Sequence, residues 1–114
     1  MAGEGQYSKA DGDTLYGKDV NISYFQGSAA STLNHASVDC NTTATLIKAA
    51  NTSRKGILIK NNSSSENVYI GLSGVTTSDG YELEAGEEKY FYHKEAVYGI
   101  TASGTVDVRY LEVE

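Results

Sequence analysis

Short apolar runs separated by polar, glycine-containing turns dominate the sequence, and they are clearest in residues 54–86. In the run 56–61, Ile57 and Ile59 share one face of an extended chain while Leu58 lies on the other. We therefore expect both faces of this segment to be covered. Runs of this length, rich in β-branched residues and bounded by Asn, Ser and Gly, predict strands of a small sheet.

The same pattern recurs on both sides of this run. Further strands are predicted at residues 43–49, 68–71, 81–84 and 88–93. In the run 68–71, Val68 and Ile70 are expected to be buried together, with Tyr69 facing outward.

Two apolar runs near the C terminus predict a β-hairpin. Each run carries three residues on one face, namely Ala96, Tyr98 and Ile100 in the first and Val106, Val108 and Tyr110 in the second. A three-residue loop, residues 102–104, sets these faces opposite one another and puts Gly104 at the left-handed position of the loop. After Tyr110 the apolar residues change parity to Leu111 and Val113, which predicts a bulge or a second contact surface.

Six or seven short strands at roughly ten-residue spacing, without an amphipathic helix, indicate an all-β fold. We expect a small antiparallel β-sandwich or jelly-roll-like barrel over residues 37–114. Residues 1–36 are different, because apart from one short possible strand at 20–25 they show neither a helical nor a strand period. They predict either a disordered tail or an extended N-terminal arm, and we favour the arm. Its apolar anchors would be Tyr7, Leu15, Tyr16 and Phe25.

Composition narrows the functional classes. The chain has 114 residues and a single cysteine, Cys40, so no intrachain disulfide can support the fold. Its net charge of −6 arises in residues 79–114, and no cluster of Lys and Arg suits a nucleic-acid phosphate backbone. We expect no nucleic-acid partner and no membrane span. The N-terminal sequence lacks the basic and apolar regions of a signal peptide, so we expect synthesis in a cytosol without export.

The candidate chemical groups do not assemble into a recognisable motif. Asp11 and Asp13 resemble the start of a calcium loop, but the later EF-hand ligands are missing, so a turn is predicted. His35, Cys40 and His93 lack zinc-ligand spacing. A carboxylate pair of the glycosidase kind could come from Glu82, Glu84, Glu87 and Glu88. However, Glu82 and Glu84 alternate with Tyr81 and Leu83, as on a solvated strand face. Ser73 lacks the strand–elbow–helix context of a hydrolase nucleophile. We expect no catalytic site, no metal and no cofactor.

Residues 54–86 also carry a resemblance to a known class of proteins. The segment RKGILIKNNSSSENVYIG, followed by SGVTTSDGYELEAGE, resembles β-modules of small virion proteins from tailed bacteriophages. Such modules occur in head-decoration proteins, head fibres and the attachment ends of tail fibres. The resemblance implies a structural virion protein, often a trimeric homo-oligomer, that binds the major capsid protein or another virion protein. Under this interpretation, residues 1–36 attach the chain to a preformed shell.

A second interpretation is a carbohydrate- or receptor-binding module. β-Sandwiches bind sugars through exposed aromatic platforms, and the residues that could form one here are Tyr69, Tyr81 and Tyr92. The chain has nine tyrosines, two phenylalanines and no tryptophan. Tyrosine is enriched at interfaces, whereas the absence of tryptophan weighs against a sugar platform.

Overall fold

The computed structural model describes residues 32–114, which form two antiparallel four-stranded sheets. The strands are β1 (Leu33–Cys40), β2 (Thr45–Lys48), β3 (Gly56–Asn61), β4 (Val68–Gly71), β5 (Tyr81–Leu83), β6 (Glu88–Phe91), β7 (Val97–Ile100) and β8 (Val106–Val113). Sheet A has the order β1-β8-β3-β6, and sheet B has the order β2-β7-β4-β5. The predicted all-β antiparallel sandwich is confirmed. The possible strand at 20–25, the Asp11–Asp13 turn and the four arm anchors lie outside the described residues, so the arm remains a prediction.

The core lies between the two sheets and follows the strand alternation. Ile57 and Ile59 of β3 are fully buried, and Val68 and Ile70 of β4 are buried opposite them, as the sequence predicts. Leu58 is half-buried on the outer side of sheet A. The other core residues come from all parts of the described chain: Cys40, Ile47, Leu83, Val97, Val106 and Val108. Alternation therefore identifies the inward side chains of the central strands correctly.

Strand β1 is missed by the sequence pattern, which places the first strand after residue 36 at 43–49. It pairs with β8 along its whole length, from Leu33 opposite Val113 to Cys40 opposite Val106. The inward side of β1 carries Asn34 and Ala36 before Val38 and Cys40, so its apolar alternation is weak. Backbone pairing with β8, a non-local contact, forms this strand. It crosses the boundary predicted between residues 36 and 37.

The predicted C-terminal hairpin is wrong. Strand β7 pairs with β2 and β4 in sheet B, whereas β8 pairs with β1 and β3 in sheet A. The core-facing residues of β7 are Val97 and Gly99, not Tyr98 and Ile100. The segment between the strands therefore crosses from one sheet to the other instead of closing a tight hairpin.

The segment between β7 and β8 nevertheless keeps one predicted feature. Gly104 adopts a left-handed backbone conformation, with φ of 70°, and its carbonyl accepts a hydrogen bond of 2.8 Å from the Thr101 hydroxyl. Strand β8 continues to Val113 in an unbroken register with β1, so the predicted bulge after Tyr110 is absent from this strand. Glu112 instead keeps the inward parity, and Leu111 and Val113 lie on the outer side. The alternative prediction, a second contact surface, stays a prediction.

Candidate functional site: the outer face of sheet A

The three tyrosines of the predicted sugar platform lie on separate surfaces. Tyr69 pairs with Glu82, and Ile70 pairs with Tyr81, so Tyr69 and Tyr81 point to opposite sides of sheet B. Tyr92 follows β6 in the other sheet and is 80% exposed. One chain therefore does not bring these three rings onto a common platform.

Tyr81 belongs instead to a small aromatic group at the open edge between β5 and β6. Its ring meets Phe91 edge-to-face, with centroids 5.9 Å apart. Phe91 in turn lies 6.1 Å from the ring of His93, and the Lys89 ammonium lies 5.9 Å from the centroid of Tyr81. These rings lie together at the sandwich edge between β5 and β6. Tyr81 remains 50% exposed, so its ring is partly accessible.

Several apolar side chains lie next to one another on the outer side of sheet A. Cross-strand pairing aligns His35, Leu111, Leu58 and Tyr90 in one row that crosses all four strands. The adjacent row begins with Leu33 opposite Val113. We call the apolar members of these rows, together with the neighbouring Tyr92, the apolar face: Leu33, Leu58, Tyr90, Tyr92, Leu111 and Val113.

Gly56 shapes the aromatic end of the apolar face. A Cβ atom at Gly56 would lie 2.5 Å from the Tyr90 hydroxyl oxygen, so the missing side chain allows the Tyr90 ring to lie over the β3 backbone. Tyr92 packs edge-on to Tyr90, with ring centroids 4.8 Å apart. Burial raises the pKa of the Tyr90 hydroxyl, and the neighbouring Tyr92 adds to this effect. The Tyr90 ring therefore lies between the β3 backbone and the Tyr92 ring, and Tyr92 is the more exposed of the two.

The remaining half of the same outer side is charged. The next row contains Arg109 opposite Lys60, with Glu88 on the far strand. Arg109 makes an ion pair of 3.0 Å with Asp107. Hydrogen bonds from Arg109 and Asn62 hold the pKa of Asp107 below its usual range. The outer side of sheet A is thus divided into an apolar half and a polar half.

The groups considered for catalysis or metal binding do not converge. Among residues 32–114, no group of three or more His, Cys, Asp or Glu side chains is placed to hold a metal ion. Cys40 is fully buried in the core, and desolvation, with a contribution from Asp39, raises its pKa to about 11. The thiol is therefore protonated at neutral pH and acts as a small core residue, as expected for a lone cysteine.

Two of the four glutamates in residues 82–88 make local hydrogen bonds. Glu82 accepts a hydrogen bond of 2.6 Å from the Asn67 amide. Glu87 accepts one of 2.8 Å from the backbone N–H of Glu84. Ser73 is exposed in the turn after β4. Near it lies an open depression of about 280 Å³ lined by Gly71, Leu72, Gly74, Val75 and Asp79. Its carboxylate, Asp79, caps the backbone and hydroxyl of Thr76, and these hydrogen bonds lower its pKa.

The described part of the chain also contains a buried ion pair between Arg54 and Glu112, which the sequence pattern does not reveal. The Arg54 Nε donates to Glu112 Oε2 at 2.8 Å, and both side chains are fully buried. The same guanidinium donates to the carbonyl oxygens of Ala49 and Glu95. This pair links the ends of β2 and β8 to the segment before β7, so its role is structural.

The apolar face is only partly visible in the sequence. The parity change at Leu111 and Val113 is its one sequence signal. Leu33 falls within the predicted arm, and Tyr90 has the same strand-like alternation as any edge tyrosine, so neither points to a common surface. Only the pairing of four strands brings these residues together.

The chain matches no known protein family and no curated protein. Within residues 32–114, no helix is long and apolar enough to cross a membrane.

Proposed function

We propose that this chain is a structural virion protein of a tailed phage that decorates or stabilises the capsid, or attaches a head fibre to it. The proposal combines the resemblance of residues 54–86 with the surface that these residues help to build. Its partner would be the major capsid protein or another virion protein. The observation that carries a binding role is the apolar face.

The apolar face contributes little to the internal core of its own chain. Leu33 is 60% exposed and Tyr92 is 80% exposed, yet they lie beside half-buried Leu58, Tyr90 and Val113 in a continuous surface. Contiguous exposed apolar patches with a polar rim mark interaction sites. Large aromatic anchors such as Tyr92 supply much of the affinity at such sites.

The resembling stretch forms the scaffold behind this surface. It supplies β3, an inner strand of sheet A, and β4 and β5 of sheet B. The Asn61 side chain at the end of β3 donates hydrogen bonds to the carbonyls of Glu66 and Leu83, which ties the two sheets together. A rigid sandwich of this kind suits a passive attachment module.

Attachment would use two parts of the chain. The apolar face would bury against the shell protein, adding roughly 25 cal/mol per Å² of apolar surface removed from water. Residues 1–36, with the anchors Tyr7, Leu15, Tyr16 and Phe25, would add a second contact. Several copies on one shell would strengthen weak single contacts by multivalency.

The test is co-sedimentation of the purified full chain with shells from the phage that encodes it. We expect the unmodified chain to pellet with the shells. Deletion of residues 1–18 should abolish attachment, and the double variant L111S/Y92S should weaken it about tenfold or more, because each truncated anchor contributes roughly 1–3 kcal/mol.

A matched control removes exposed leucines outside the apolar face. The double variant L46S/L72S changes two exposed leucines of sheet B and its loops and should bind as the unmodified chain does. Absence of the chain from the particles would contradict the virion role. Equal losses in both double variants would contradict the role of the apolar face.

A glycan-binding module is the second candidate, and the half-exposed Tyr81 ring supported by Phe91 favours it. Exposed rings stack on sugar faces, and Lys89 beside the ring could donate a hydrogen bond to a sugar hydroxyl. Specific binding on a glycan array that is lost in Tyr81→Ala, while Tyr69→Ala has no effect, would support this candidate over the first.

A further inference from the structure

The four edge strands of the described sandwich differ in how well they are protected against pairing. Strand β5 has three residues, and β6 has four, including Lys89. Strand β2 has four residues, carries Lys48 and is interrupted by a register shift. Short length, lysine and bulges are the usual devices that prevent edge-to-edge association. Three of these four edges therefore carry such a device.

Strand β1 carries none of these devices. It has eight residues, Leu33–Cys40, without proline, lysine or a bulge, and its register with β8 is continuous. No other described strand pairs with its outer side. A long, regular and unprotected edge is a template for the addition of another strand.

The hydrogen-bond pattern shows which backbone groups of β1 face outward. Thr32 and Glu114 exchange both backbone hydrogen bonds, at 3.2 and 2.9 Å. In an antiparallel ladder such pairs recur at every second residue, so the even-numbered residues of β1 bond to β8. The N–H and C=O groups of the odd-numbered residues point away from β8: Leu33, His35, Ser37 and Asp39.

We propose that β1 pairs with β1 of a second copy of this chain, about a two-fold axis at Ser37, and joins the two copies of sheet A into one eight-stranded sheet. This register places His35 opposite Asp39 of the partner subunit, and the symmetry repeats the pair. It also places Ala36 opposite Val38 of the partner subunit on the inner side. A histidine N–H can donate a hydrogen bond to a facing carboxylate, and hydrogen-bonded polar pairs and apolar pairs at facing positions both stabilise antiparallel strands.

Both neighbouring symmetric registers, with the axis at Ala36 or at Val38, are poorer, because neither sets His35 opposite Asp39 of the partner subunit. With the axis at Ala36, Leu33 would face Asp39 of the partner subunit, and His35 would face Ser37 of the partner subunit. This arrangement sets an apolar side chain against a carboxylate and loses both histidine–aspartate pairs. The sequence of β1 is therefore self-complementary about Ser37.

This inference goes beyond the proposed virion role and does not depend on it. A two-fold pair is a dimer, which differs from the trimer that the resemblance implies. Sedimentation equilibrium of the full chain measures this directly, and we expect a concentration-dependent mass approaching twice the chain mass of 12.2 kDa. A trimer, or a monomer at all accessible concentrations, would overturn the proposal.

Ser37→Pro removes an N–H that points to the second copy and leaves the ladder with β8 intact, because proline is tolerated where the N–H faces away from the sheet. Because both copies carry the substitution, the dimer loses two hydrogen bonds. We therefore expect its dissociation constant to rise about tenfold or more. Ser37→Ala keeps the N–H and should dimerise normally. A dimer unaffected by Ser37→Pro would exclude this interface.

Charge reversal tests the register. His35→Asp faces Asp39 of the partner subunit with a like charge and should weaken the dimer about fivefold. The double variant H35D/D39K sets opposite charges at the facing positions and should recover the dimer. The D39K change also sets a positive charge opposite Asp107 of β8, so pairing within the subunit is preserved. Failure of the double variant to recover the dimer would contradict the Ser37-centred register.

Amide hydrogen exchange separates the interface from the fold. In the dimer, we expect protection at the amides of His35, Ser37 and Asp39, and in Ser37→Pro fast exchange at His35 and Asp39. Val38 and Cys40, which bond to β8, should stay protected in both, which shows that β1 remains folded. A monomer in which the odd-numbered amides are protected would mean that residues 1–31 cover the edge, and would overturn the proposal.

Discussion

The guanidinium of Arg54 and the carboxylate of Glu112 are fully buried at one end of the sandwich, 2.8 Å apart. Asn34 donates a further hydrogen bond of 2.9 Å to Glu112 Oε1, and the Lys48 ammonium lies 3.9 Å from the same oxygen. The remaining guanidinium donors bond to backbone carbonyls. Because most polar atoms of the pair have partners, their loss of hydration is offset.

At the residue scale, Arg54→Met should destabilise the fold by about 3–5 kcal/mol, because it leaves the Glu112 carboxylate buried without its cation. The measurement is urea unfolding followed by circular dichroism. The double variant R54M/E112L should recover most of this loss, since it removes both charges. A loss of less than about 1 kcal/mol in the single variant would show that Glu112 does not depend on Arg54.

The same pair predicts a pH dependence. Burial by itself raises the pKa of Glu112, but hydrogen bonds from Arg54, Asn34 and Asn51 and the Arg54 charge outweigh it, so the pKa lies below the ordinary value of 4.5. The carboxylate therefore stabilises the folded state fully above the ordinary pKa. That contribution is lost as the pH falls through the lower pKa of the folded state.

We expect the unfolding free energy of the unmodified chain to fall on acidification below about pH 4.5. Glu112→Gln should be less stable at neutral pH and should lose less on acidification. Urea unfolding at a series of pH values from neutral to acidic measures both. Parallel pH profiles for the two proteins would contradict the assignment to Glu112.

At the scale of the elements, the close approach of the two sheets depends on β7. A Cβ atom at Gly99 would lie 2.9 Å from Cys40 Sγ of β1 and 3.0 Å from Ile47 Cδ1 of β2. A single methyl group would overpack the site, because these neighbours belong to the core and have little room to shift. This contact lies where β7 faces β1 across the sandwich.

Gly99→Ala should therefore destabilise the fold by about 1–3 kcal/mol. Thermal or urea unfolding measures it. Gly74→Ala is the matched control, because a Cβ atom there has no neighbour within 4 Å, and it should leave stability nearly unchanged. Equal effects at both positions would contradict the close packing at Gly99.

The elements also show where sequence patterns succeed and fail. Strands β3 and β4 are predicted with the correct inward residues, because Ile57, Ile59, Val68 and Ile70 alternate with partly exposed positions. Strand β1 is missed, since its inward side begins with Asn34 and Ala36. The predicted β7–β8 hairpin is wrong. The alternation in residues 96–100 fits burial of either face, and it does not show which strand pairs with β7.

At the scale of the whole molecule, the proposed dimer and the apolar face are geometrically compatible. A two-fold axis perpendicular to sheet A at Ser37 keeps both apolar faces on the same side of the joined sheet, at opposite ends. Two such faces could contact one shell at once, and this bivalence would raise the apparent affinity of weak single contacts. Ser37→Pro changes a backbone group at the β1 edge, whereas L111S/Y92S changes side chains of the apolar face, so the two proposals can fail independently.

Strand order also explains why the candidate site was largely beyond sequence reasoning. Tyr69, Tyr81 and Tyr92 form a group in the sequence because all three are aromatic, but strand pairing directs them to different surfaces. Leu33, Leu111 and Tyr90, which lie far apart in the sequence, meet only because β1, β8, β3 and β6 are neighbours. Which residues share a surface depends on strand order, and strand order is non-local.

Local pattern was sufficient for the all-β class and for the inward faces of the central strands, because a strand's side-chain period of two is a local property of the extended backbone. The partner of each strand, the inward placement of Glu112 against Arg54 and the formation of β1 were settled only in the folded chain. Each of these depends on contacts between segments tens of residues apart, where backbone hydrogen bonding and core packing outweigh local alternation.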